Sequence, residues 1–318
     1  MNATASGLIA DIGATNTRLA LVEPGGAVAR MRVMATDDFA SLGEAVEAYL
    51  AAETPPQKPV AAVLAVAAPV TGDRVRLTNH PWSFSIDALR RRFGFARLKV
   101  INDFVANALA VPHLKEADRT PIGGGAAAAG APIGVIGPGS GLGVSALFEK
   151  DGIVIPTEGE GGHVTMPAAD AREAAVLDLM RRRFDHVSAE RVLSGPGLVN
   201  LYNALCELSG ERAAPLTAAQ ITDASIEDEE PRAREATAMF CAMLGTVAGD
   251  LALTLGARGG IYIAGGIVPK LGPLFAQSRF RARFEAKGRY RGYLTAIPTY
   301  VITHPEPALL GAAKLLSM

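Results

Sequence analysis

Asn102 and Asp103 are the residues whose types and position most directly suggest chemistry. They end the apolar run at residues 98–101, which predicts a short buried strand, and the apolar residues from Phe104 onward predict a helix. Both polar side chains therefore lie at the carboxyl end of a strand, where open α/β sheets bind ligands. A carboxylate there can act as a general base toward a hydroxyl group. The alternative is that Asp103 only caps the helix by accepting backbone N–H bonds.

Four turns of small residues also punctuate the apolar strands, at residues 11–16, 137–143, 256–260 and 264–266. Glycines in such turns let backbone N–H groups approach phosphate oxygens, and a Ser or Thr hydroxyl adds a donor. Hairpin geometry without any ligand explains each single turn equally well. The chain has no Gly-Lys dipeptide and no G-x-G-x-x-G spacing in the second turn. These absences argue against a Walker A loop and a dinucleotide-binding turn.

Asp11 stands at the head of the first of these turns. A carboxylate at that position could hold Mg²⁺ through water beside a polyphosphate, because this ion gives up its water reluctantly. An Asx hydrogen bond that caps the turn is an equally good explanation.

The densest polar cluster is the loop E-G-E-G-G-H, which contains Glu160 and His163. Their spacing occurs in di-iron helix bundles, but the two glycines between them would break such a helix and no second copy occurs. A carboxylate and an imidazole among glycines are better suited to a polyhydroxyl ligand, whose hydroxyl groups need acceptors. Together with Asn102, Asp103 and Glu190, this loop would offer many acceptors to one hydroxyl-rich molecule.

The composition limits the class of protein. The chain has 318 residues, of which 49% are hydrophobic and 20% charged, so it is a folded protein large enough for two domains. Its net charge of −1 gives no general attraction to nucleic acid or acidic lipid, which favours a small-molecule partner. Cys206 and Cys241 lack C-x-x-C spacing and predict core positions in a reducing compartment. We find no signal peptide or membrane span in the sequence and predict a soluble, cytoplasmic protein.

The predicted elements form two similar halves. Each half begins with a strand, a turn of small residues and two further strands. This order predicts an internally duplicated α/β architecture with a cleft between the halves. A stretch rich in Gly, Ala and Pro at residues 123–132 is predicted to be a linker or loose loop that separates them.

Two further predictions concern helix ends. Thr36 or Asp37 is predicted to cap the first helix, whose apolar face includes Phe39. The arginine triplets at residues 90–92 and 181–183 end predicted helices, where cations are favoured. We interpret them as solvated last turns and not as nucleic-acid patches.

Five stretches together resemble the bacterial glucokinase family, the hexose kinases of the actin-like ATPase superfamily. In chain order they are A-D-I-G-A-T-N-T-R-L-A-L at residues 10–21, V-I-N-D-F at 100–104, E-G-E-G-G-H at 158–163, A-E-R-V-L-S-G-P-G-L-V-N-L-Y at 189–202 and I-A-G-G-I-V-P at 263–269. The resemblance implies an α/β, duplicated actin-like (ribonuclease H-like) ATPase fold with two domains flanking an active-site cleft. It places residues 1–113 plus 304–318 in a small α/β domain and residues 114–303 in a large α/β domain.

The same resemblance implies ATP-dependent phosphorylation of D-glucose at the 6-hydroxyl to glucose 6-phosphate, feeding glycolysis, in a cytoplasmic homodimer. Asp103 would be the catalytic base. The residues implied to bind glucose are Asn102, Asp103, Glu160, His163 and Glu190. The residues implied to bind ATP are Ala10, Asp11, Ile12, Gly13, Ala14, Thr15, Gly139, Ser140, Gly141, Gly265 and Gly266. Asp11 would in addition hold Mg²⁺, through water.

One residue departs from the family pattern, because Ala14 stands where the family usually has a second glycine. Its methyl group would then stand close to the phosphate. Two distant cysteines cannot form the zinc motif of the related repressor, open-reading-frame and kinase family. Two alternatives stay open, a kinase for another hexose or amino sugar and a non-catalytic sugar sensor. The presence of both Asp11 and Asp103 argues against the sensor, which needs no magnesium-side carboxylate.

Overall fold

The computed structural model describes residues 6–318, which divide into two compact units. Unit 1 consists of residues 6–114, Pro156–Glu158 and His304–Met318. Unit 2 consists of Lys115–Ile155 and Gly159–Thr303. Each unit is built on its own sheet and hydrophobic core, and strands and helices are numbered below in chain order.

Unit 1 is an α/β unit with a mixed sheet. Its elements are β1 (Gly7–Ile12), β2 (Asn16–Val22), β3 (Val28–Ala35), α1 (Leu42–Glu53), β4 (Ala61–Val66), β5 (Arg74–Arg76), β6 (Ser83–Ser85), α2 (Ile86–Phe93), β7 (Arg97–Asn102), α3 (Asp103–Ala110) and α12 (Pro307–Ser317). Five strands form a sheet in the order β3-β2-β1-β4-β7, in which β1, β4 and β7 are parallel and β2 is antiparallel to both its neighbours. Strand β4 reads A-A-V-L-A-V and is buried along its whole length, which is typical of a central parallel strand.

Helices α3 and α12 of unit 1 pack in close contact. A Cβ atom on Gly311 would lie 1.8 Å from the carbonyl oxygen of Ala106, so only glycine permits this approach. Because α3 begins at Asp103, this contact holds the helix that carries the predicted base.

Unit 2 is also an α/β unit with a mixed sheet. Its elements are β8 (Arg119–Gly123), β9 (Ile133–Pro138), β10 (Leu142–Lys150), β11 (Ile153–Pro156), α4 (Ala171–Arg181), α5 (Gly195–Leu208), α6 (Ala218–Ile226), α7 (Pro231–Leu255), β12 (Ile261–Ile263), α8 (Ile267–Leu271), α9 (Pro273–Ala276), α10 (Phe280–Glu285), α11 (Arg291–Thr295) and β13 (Thr299–Ile302). The sheet has the order β11-β10-β9-β12-β13-β8. Strands β9, β12 and β13 are parallel, and β10 is antiparallel to β9.

Helix α7 is long and apolar enough to cross a membrane by length and composition alone. However, 67% of its most apolar window is buried inside the protein. Phe240 and Leu244 on this helix are fully buried in the hydrophobic core of unit 2, together with Cys241. The helix therefore serves as the core around which unit 2 packs.

The strand predicted at residues 98–101 and the helix after it are confirmed as β7 and α3. The predicted cap of the first helix is wrong. Thr36–Asp38 forms a separate 3₁₀ turn, and Ser41 caps α1 by accepting a hydrogen bond from the Glu44 N–H. Phe39 consequently precedes the helix instead of lying on its face.

The stretch at residues 123–132 is not a linker between the units, because all of it lies in unit 2. The Gly125 N–H donates to the Ala296 carbonyl. Gly124 has a φ of +102°, and a Cβ atom there would lie 2.2 Å from the Ile297 carbonyl oxygen. The small residues that suggested a loose linker serve close packing within one unit.

Candidate active site

Strands β1 and β2 form a hairpin whose loop is the first glycine turn, residues 13–15. The Gly13 N–H donates to the Asn16 carbonyl at 3.0 Å and closes this turn. The turn is shorter than predicted, because Asp11 belongs to β1 and lies opposite Arg18 of β2. Asp11 is therefore a strand residue beside the turn, and the structure gives it no turn-capping hydrogen bond.

The Asp11 carboxylate is largely withdrawn from solvent, with 21% of its side chain exposed. Its Oδ2 atom lies 3.5 Å from Nη1 of Arg18, whose Nε atom lies 2.8 Å from Oε2 of Glu306. Burial raises the pKa of Asp11 to about 6, Arg18 opposes the rise and Glu306 adds to it. A cation beside Asp11 would offset the cost of burying its charge.

The described residues include no group of three or more His, Cys, Asp or Glu side chains placed to hold a metal. Mg²⁺ usually keeps several waters and takes one or two carboxylates together with phosphate oxygens. A single, largely buried carboxylate beside a glycine turn fits that donor set, so Asp11 is a suitable residue to hold the ion through water.

Ala14 occupies the first glycine turn without backbone strain. Among the described non-glycine residues, positive φ values occur at Arg30, Thr54, Asp151 and Asp228, and Ala14 is not one of them. The backbone at this position therefore does not require glycine.

Asn102 lies at the same edge of the sheet as the first glycine turn. The parallel register aligns Ile12 with Val66 and Val66 with Asn102. With neighbouring strands about 4.8 Å apart, the end of β1 and the end of β7 are separated by about 10 Å. The structure thus brings the predicted phosphate turn and the predicted base to one edge of unit 1.

The helix cap predicted at Asp103 belongs to Asn102. The Asn102 Oδ1 atom accepts the Phe104 N–H at 2.8 Å, and the Asp103 Oδ1 atom accepts the same N–H at 3.0 Å. The side-chain amide of Asn102 also donates to the Ala68 carbonyl at 3.3 Å. Asn102 can be the cap because it precedes the first helical residue, and its amide supplies an acceptor and donors at once.

The second glycine turn, residues 139–141, joins β9 to β10 in unit 2. The Gly139 carbonyl accepts the N–H of Gly195 at the start of α5, at 2.8 Å. After β12, Gly265 has a φ of +85°, and a Cβ atom there would lie 2.3 Å from the Pro138 carbonyl oxygen. The glycine pair after β12 therefore lies beside this turn, as the parallel pairing of β9 with β12 requires.

Glu190 connects the second glycine turn to the polar loop of residues 158–163. Its Oε2 atom accepts the Leu142 N–H at 2.9 Å. A Cβ atom on Gly141 would lie 2.4 Å from that same oxygen, so the missing side chain leaves the space that the carboxylate occupies. The Glu190 N–H donates to the Gly162 carbonyl at 2.8 Å. Glu190 thus contacts both segments at once.

The polar loop is a glycine-packed turn and not part of a longer helix, as predicted. Gly161–His163 forms a single 3₁₀ turn. The Oε2 atom of Glu160 lies 3.8 Å from Nε2 of His163, and both side chains are 54% exposed. A Cβ atom on Gly162 would lie 2.0 Å from the Leu142 carbonyl oxygen. The loop therefore presents a carboxylate and an imidazole to solvent on a closely packed backbone.

A cavity of about 340 Å³ lies elsewhere in unit 2, between α7, α10 and the start of α4. Arg283, one of its lining residues, pairs with both oxygens of buried Glu173, at 2.6 and 3.0 Å. Lys287, another, pairs with Asp250 at 2.5 Å. The cavity is lined by no predicted site residue and its main cations are already paired, so we do not assign the reaction to it.

Two smaller predictions are confirmed. The arginine triplet at residues 90–92 forms the exposed last turn of α2, where Arg90 and Arg91 pair with Asp87 of the same helix. Cys206 and Cys241 are both buried and free, and burial raises the pKa of each thiol.

Three polar residues around the first glycine turn, Arg18, Thr36 and Glu306, are not among the predicted site residues. Arg18 has a signal in the sequence, because a hairpin closed between residues 13 and 16 places residue 18 opposite residue 11. The position of Thr36 just before a predicted helix is misleading, because it predicts a helix cap and not a contact with the first glycine turn. Glu306 has no signal in the sequence, because only the fold brings it to β1 and β2.

Glycine turns at strand ends, a carboxylate beside the first turn and an exposed carboxylate and imidazole near the second are features that a kinase for a hydroxyl-bearing substrate needs. The family model described as Glucokinase matches residues 8–318. The chain is 53% identical to a glucokinase of Aromatoleum aromaticum over 310 residues, which cover 97% of this chain and 94% of that protein. The chain belongs to the glucokinase family, and the resemblance stated above is confirmed.

Solved structures agree with this family. The crystal structure of a glucokinase from an Antarctic psychrotroph is 38% identical, has a TM-score of 0.87 and matches over 98% of each chain. A ROK family glucokinase from Streptomyces griseus, solved in complex with glucose and AMPPNP, is 16% identical with a TM-score of 0.67. The match covers 98% of this chain and 99% of that one, and it shows the fold alone.

Proposed function

We propose that this chain is a cytoplasmic glucokinase that transfers the γ-phosphoryl group of MgATP to the 6-hydroxyl of D-glucose. The products are glucose 6-phosphate, which feeds glycolysis, and ADP. The observation that carries the proposal is the position of Asp103, which follows β7 at the sheet edge that also carries the first glycine turn. The glucokinases of Aromatoleum aromaticum and of the Antarctic psychrotroph, which are 53% and 38% identical to this chain, support glucose as the acceptor.

Asp103 would be the catalytic base. Its carboxylate orients the 6-hydroxyl and accepts its proton as the new O–P bond forms and the bond from the γ-phosphorus to the ADP oxygen breaks. The Phe104 N–H holds one oxygen of this carboxylate at 3.0 Å and so fixes its direction. Phosphoryl transfer has a loose transition state, in which aiming the hydroxyl matters more than removing its proton early.

The remaining site residues bind and orient the substrates. Asn102, Glu160, His163 and Glu190 would join Asp103 in binding the sugar hydroxyls, as acceptors or, for the imidazole and amide, also as donors. The two glycine turns would bind ATP phosphates through backbone N–H groups, with Gly265 and Gly266 near the nucleoside. Asp11 would hold Mg²⁺ through water. When bound, this ion neutralises part of the charge on the transferred phosphoryl group.

The proposed architecture is a duplicated actin-like (ribonuclease H-like) ATPase fold with two domains. Residues 1–113 plus 304–318 form the small domain and residues 114–303 the large one. The strand orders support duplication, because β3-β2-β1-β4-β7 and β11-β10-β9-β12-β13 each place hairpin strands on one side of a parallel set. The proposed homodimer rests on the family resemblance.

Replacement of the base tests this function. We expect Asp103→Ala to lower kcat by about 10³-fold, within the range that general bases contribute. Glucose binding, measured by isothermal titration calorimetry, should persist, because the other acceptors stay in place. Asp185→Ala is the matched control, since Asp185 is an exposed carboxylate of the same type. Turnover near the wild-type value in the Asp103 variant would refute the assigned role. Glucose binding without any ADP release by the wild type would instead favour the sensor.

A further inference from the structure

Two buried threonines lie directly behind the first glycine turn. Thr17 and Thr36 are both 0% exposed. We propose that Thr36 is a positioning residue that aims backbone N–H groups of this turn at a nucleotide phosphate, and that Thr17 holds the Thr36 hydroxyl in place. The proposal deepens the proposed function, since it rests on the turn being a phosphate site.

Thr36 binds the first glycine turn at two points. Its hydroxyl donates to the Gly13 carbonyl at 3.0 Å, and its backbone N–H donates to the Thr15 carbonyl at 2.9 Å. The hydroxyl groups of Thr17 and Thr36 are 3.0 Å apart. A hydroxyl has one proton to donate, so the proton between the two threonines comes from Thr17. The result is a directed chain from Thr17 through Thr36 to Gly13.

These two contacts determine which way the turn presents its donors. Every described peptide bond is trans, and in a trans peptide the carbonyl and the N–H point in opposite directions. The Gly13 carbonyl points at Thr36, so the N–H of Ala14 points away from it. The Thr15 carbonyl also points at Thr36, so the N–H of Asn16 points away as well. Thr36 thereby directs two backbone donors to the face of the turn opposite itself.

Such an arrangement suits an anion, because two N–H groups on one face can donate hydrogen bonds to the oxygens of one phosphate group. The arrangement is also compatible with alanine at position 14, because the donor is the backbone N–H and does not depend on the side chain. A purely structural role makes a different prediction. Removing the Thr36 hydroxyl would then destabilise the fold by leaving buried polar groups unpaired, and would leave nucleotide affinity unchanged.

The test compares Thr36→Val, which removes the hydroxyl and keeps the β-branched shape, with Thr36→Ser, which keeps the hydroxyl. The measured quantities are the Kd for MgADP by titration calorimetry without sugar, the KM values for ATP and glucose, and the Tm. We expect Thr36→Val to weaken MgADP binding and raise the KM for ATP by about tenfold, the usual worth of one hydrogen bond. The KM for glucose should stay within about twofold, and Thr36→Ser should restore nucleotide binding to within about threefold.

Thr237→Val is the matched control. Thr237 is 1% exposed and its hydroxyl lies 2.8 Å from that of Ser225, within unit 2. This control should lower the Tm without changing MgADP affinity. If Thr36→Val behaves in the same way, the proposal is overturned. If Thr36→Val does not fold, Thr17→Val provides the second variant, because it leaves the Thr36 hydroxyl in place. About threefold weaker MgADP binding is then expected, and unchanged binding would overturn the proposal.

The outcome is separable from that of the proposed function. A wild-type protein that fails to phosphorylate glucose would refute the function, while the MgADP titration would still decide the role of Thr36.

Discussion

The two glycine turns have similar loops but are held by different chemistry. In unit 1, neutral and fully buried Thr36 binds the carbonyls of the first turn. In unit 2, the carboxylate of Glu190 accepts the Leu142 N–H just after the second turn and occupies the space above Gly141. A buried hydroxyl can only support the backbone, whereas a carboxylate has further lone pairs for a ligand.

Because the two turns are held by different groups, changes behind them should affect different substrates. A change behind the first turn should affect the nucleotide alone. A change at Glu190 should affect both substrates, because Glu190 is a proposed sugar ligand and also supports a proposed phosphate turn. The contrast can be tested by replacing Thr36, which holds the first turn, and Glu190, which holds the second, in separate variants.

Among changes at or beside the two glycine turns, the largest effect is expected at Glu190. Glu190→Ala should raise the KM for glucose by about 100-fold, since it removes charge-assisted hydrogen bonds to the sugar, and the KM for ATP by about tenfold. Glu190→Gln should raise mainly the KM for glucose, because the amide oxygen can still accept the Leu142 N–H. Steady-state kinetics with each substrate varied in turn measures both. An unchanged KM for ATP in Glu190→Ala would show that the carboxylate does not support the turn.

A smaller effect is expected for Asp11, beside the first turn. Its pKa is raised to about 6, so the carboxylate becomes protonated as the pH falls through 6 and loses its attraction for Mg²⁺. The KM for MgATP of the wild type should therefore rise between pH 7.5 and 5, by about tenfold per pH unit below the pKa. Asp11→Asn should have a raised KM at pH 7.5 and no such dependence. A steep rise that persists in Asp11→Asn would assign the titration to another group.

The same variant has an expected consequence for stability. A folded-state pKa above the ordinary value of 3.8 means that burial favours the protonated form. The stabilisation is complete below pH 3.8 and is lost as the pH rises through 6. At pH 7.5 the neutral amide avoids the cost of burying a charge, so the Tm of Asp11→Asn should equal or exceed that of the wild type. A clearly lower Tm would show that the contact with Arg18 outweighs the cost of burial.

The smallest effect is expected at Ala14. Since the backbone there needs no glycine, Ala14→Gly should leave the KM for ATP within about twofold and lower stability by about 0.5–1 kcal/mol, through the greater freedom of the unfolded chain. Thermal unfolding and ATP kinetics measure these changes. A large gain in nucleotide affinity would show instead that the alanine methyl crowds the phosphate.

The sequence predicted the residues that neighbour one another along the chain. The strand-to-helix step at Asn102 and Asp103, the glycine-packed polar loop and the glycine turns all follow from local periodicity and turn chemistry, and the structure contains each of them. The role of Asn102 as cap was not predicted, since it depends on the exact residue at which α3 begins.

Local sequence patterns could not predict contacts between segments that are distant in the chain. Glu306 beside Arg18, and Thr36 behind Gly13, depend on how strands and helices pack. The misplaced linker at residues 123–132 has the same cause, because small residues allow close packing as readily as they allow freedom. The roles proposed for the site residues come from the family resemblance and not from these contacts.

The central claim is that this chain phosphorylates glucose from MgATP. A coupled assay of ADP release by the wild-type protein, run with D-glucose, mannose, glucosamine and N-acetylglucosamine, tests it most directly. We predict ADP release that requires both MgATP and sugar, with the highest kcat/KM for D-glucose. A higher kcat/KM for another sugar, or no sugar-dependent release of ADP, would contradict the account.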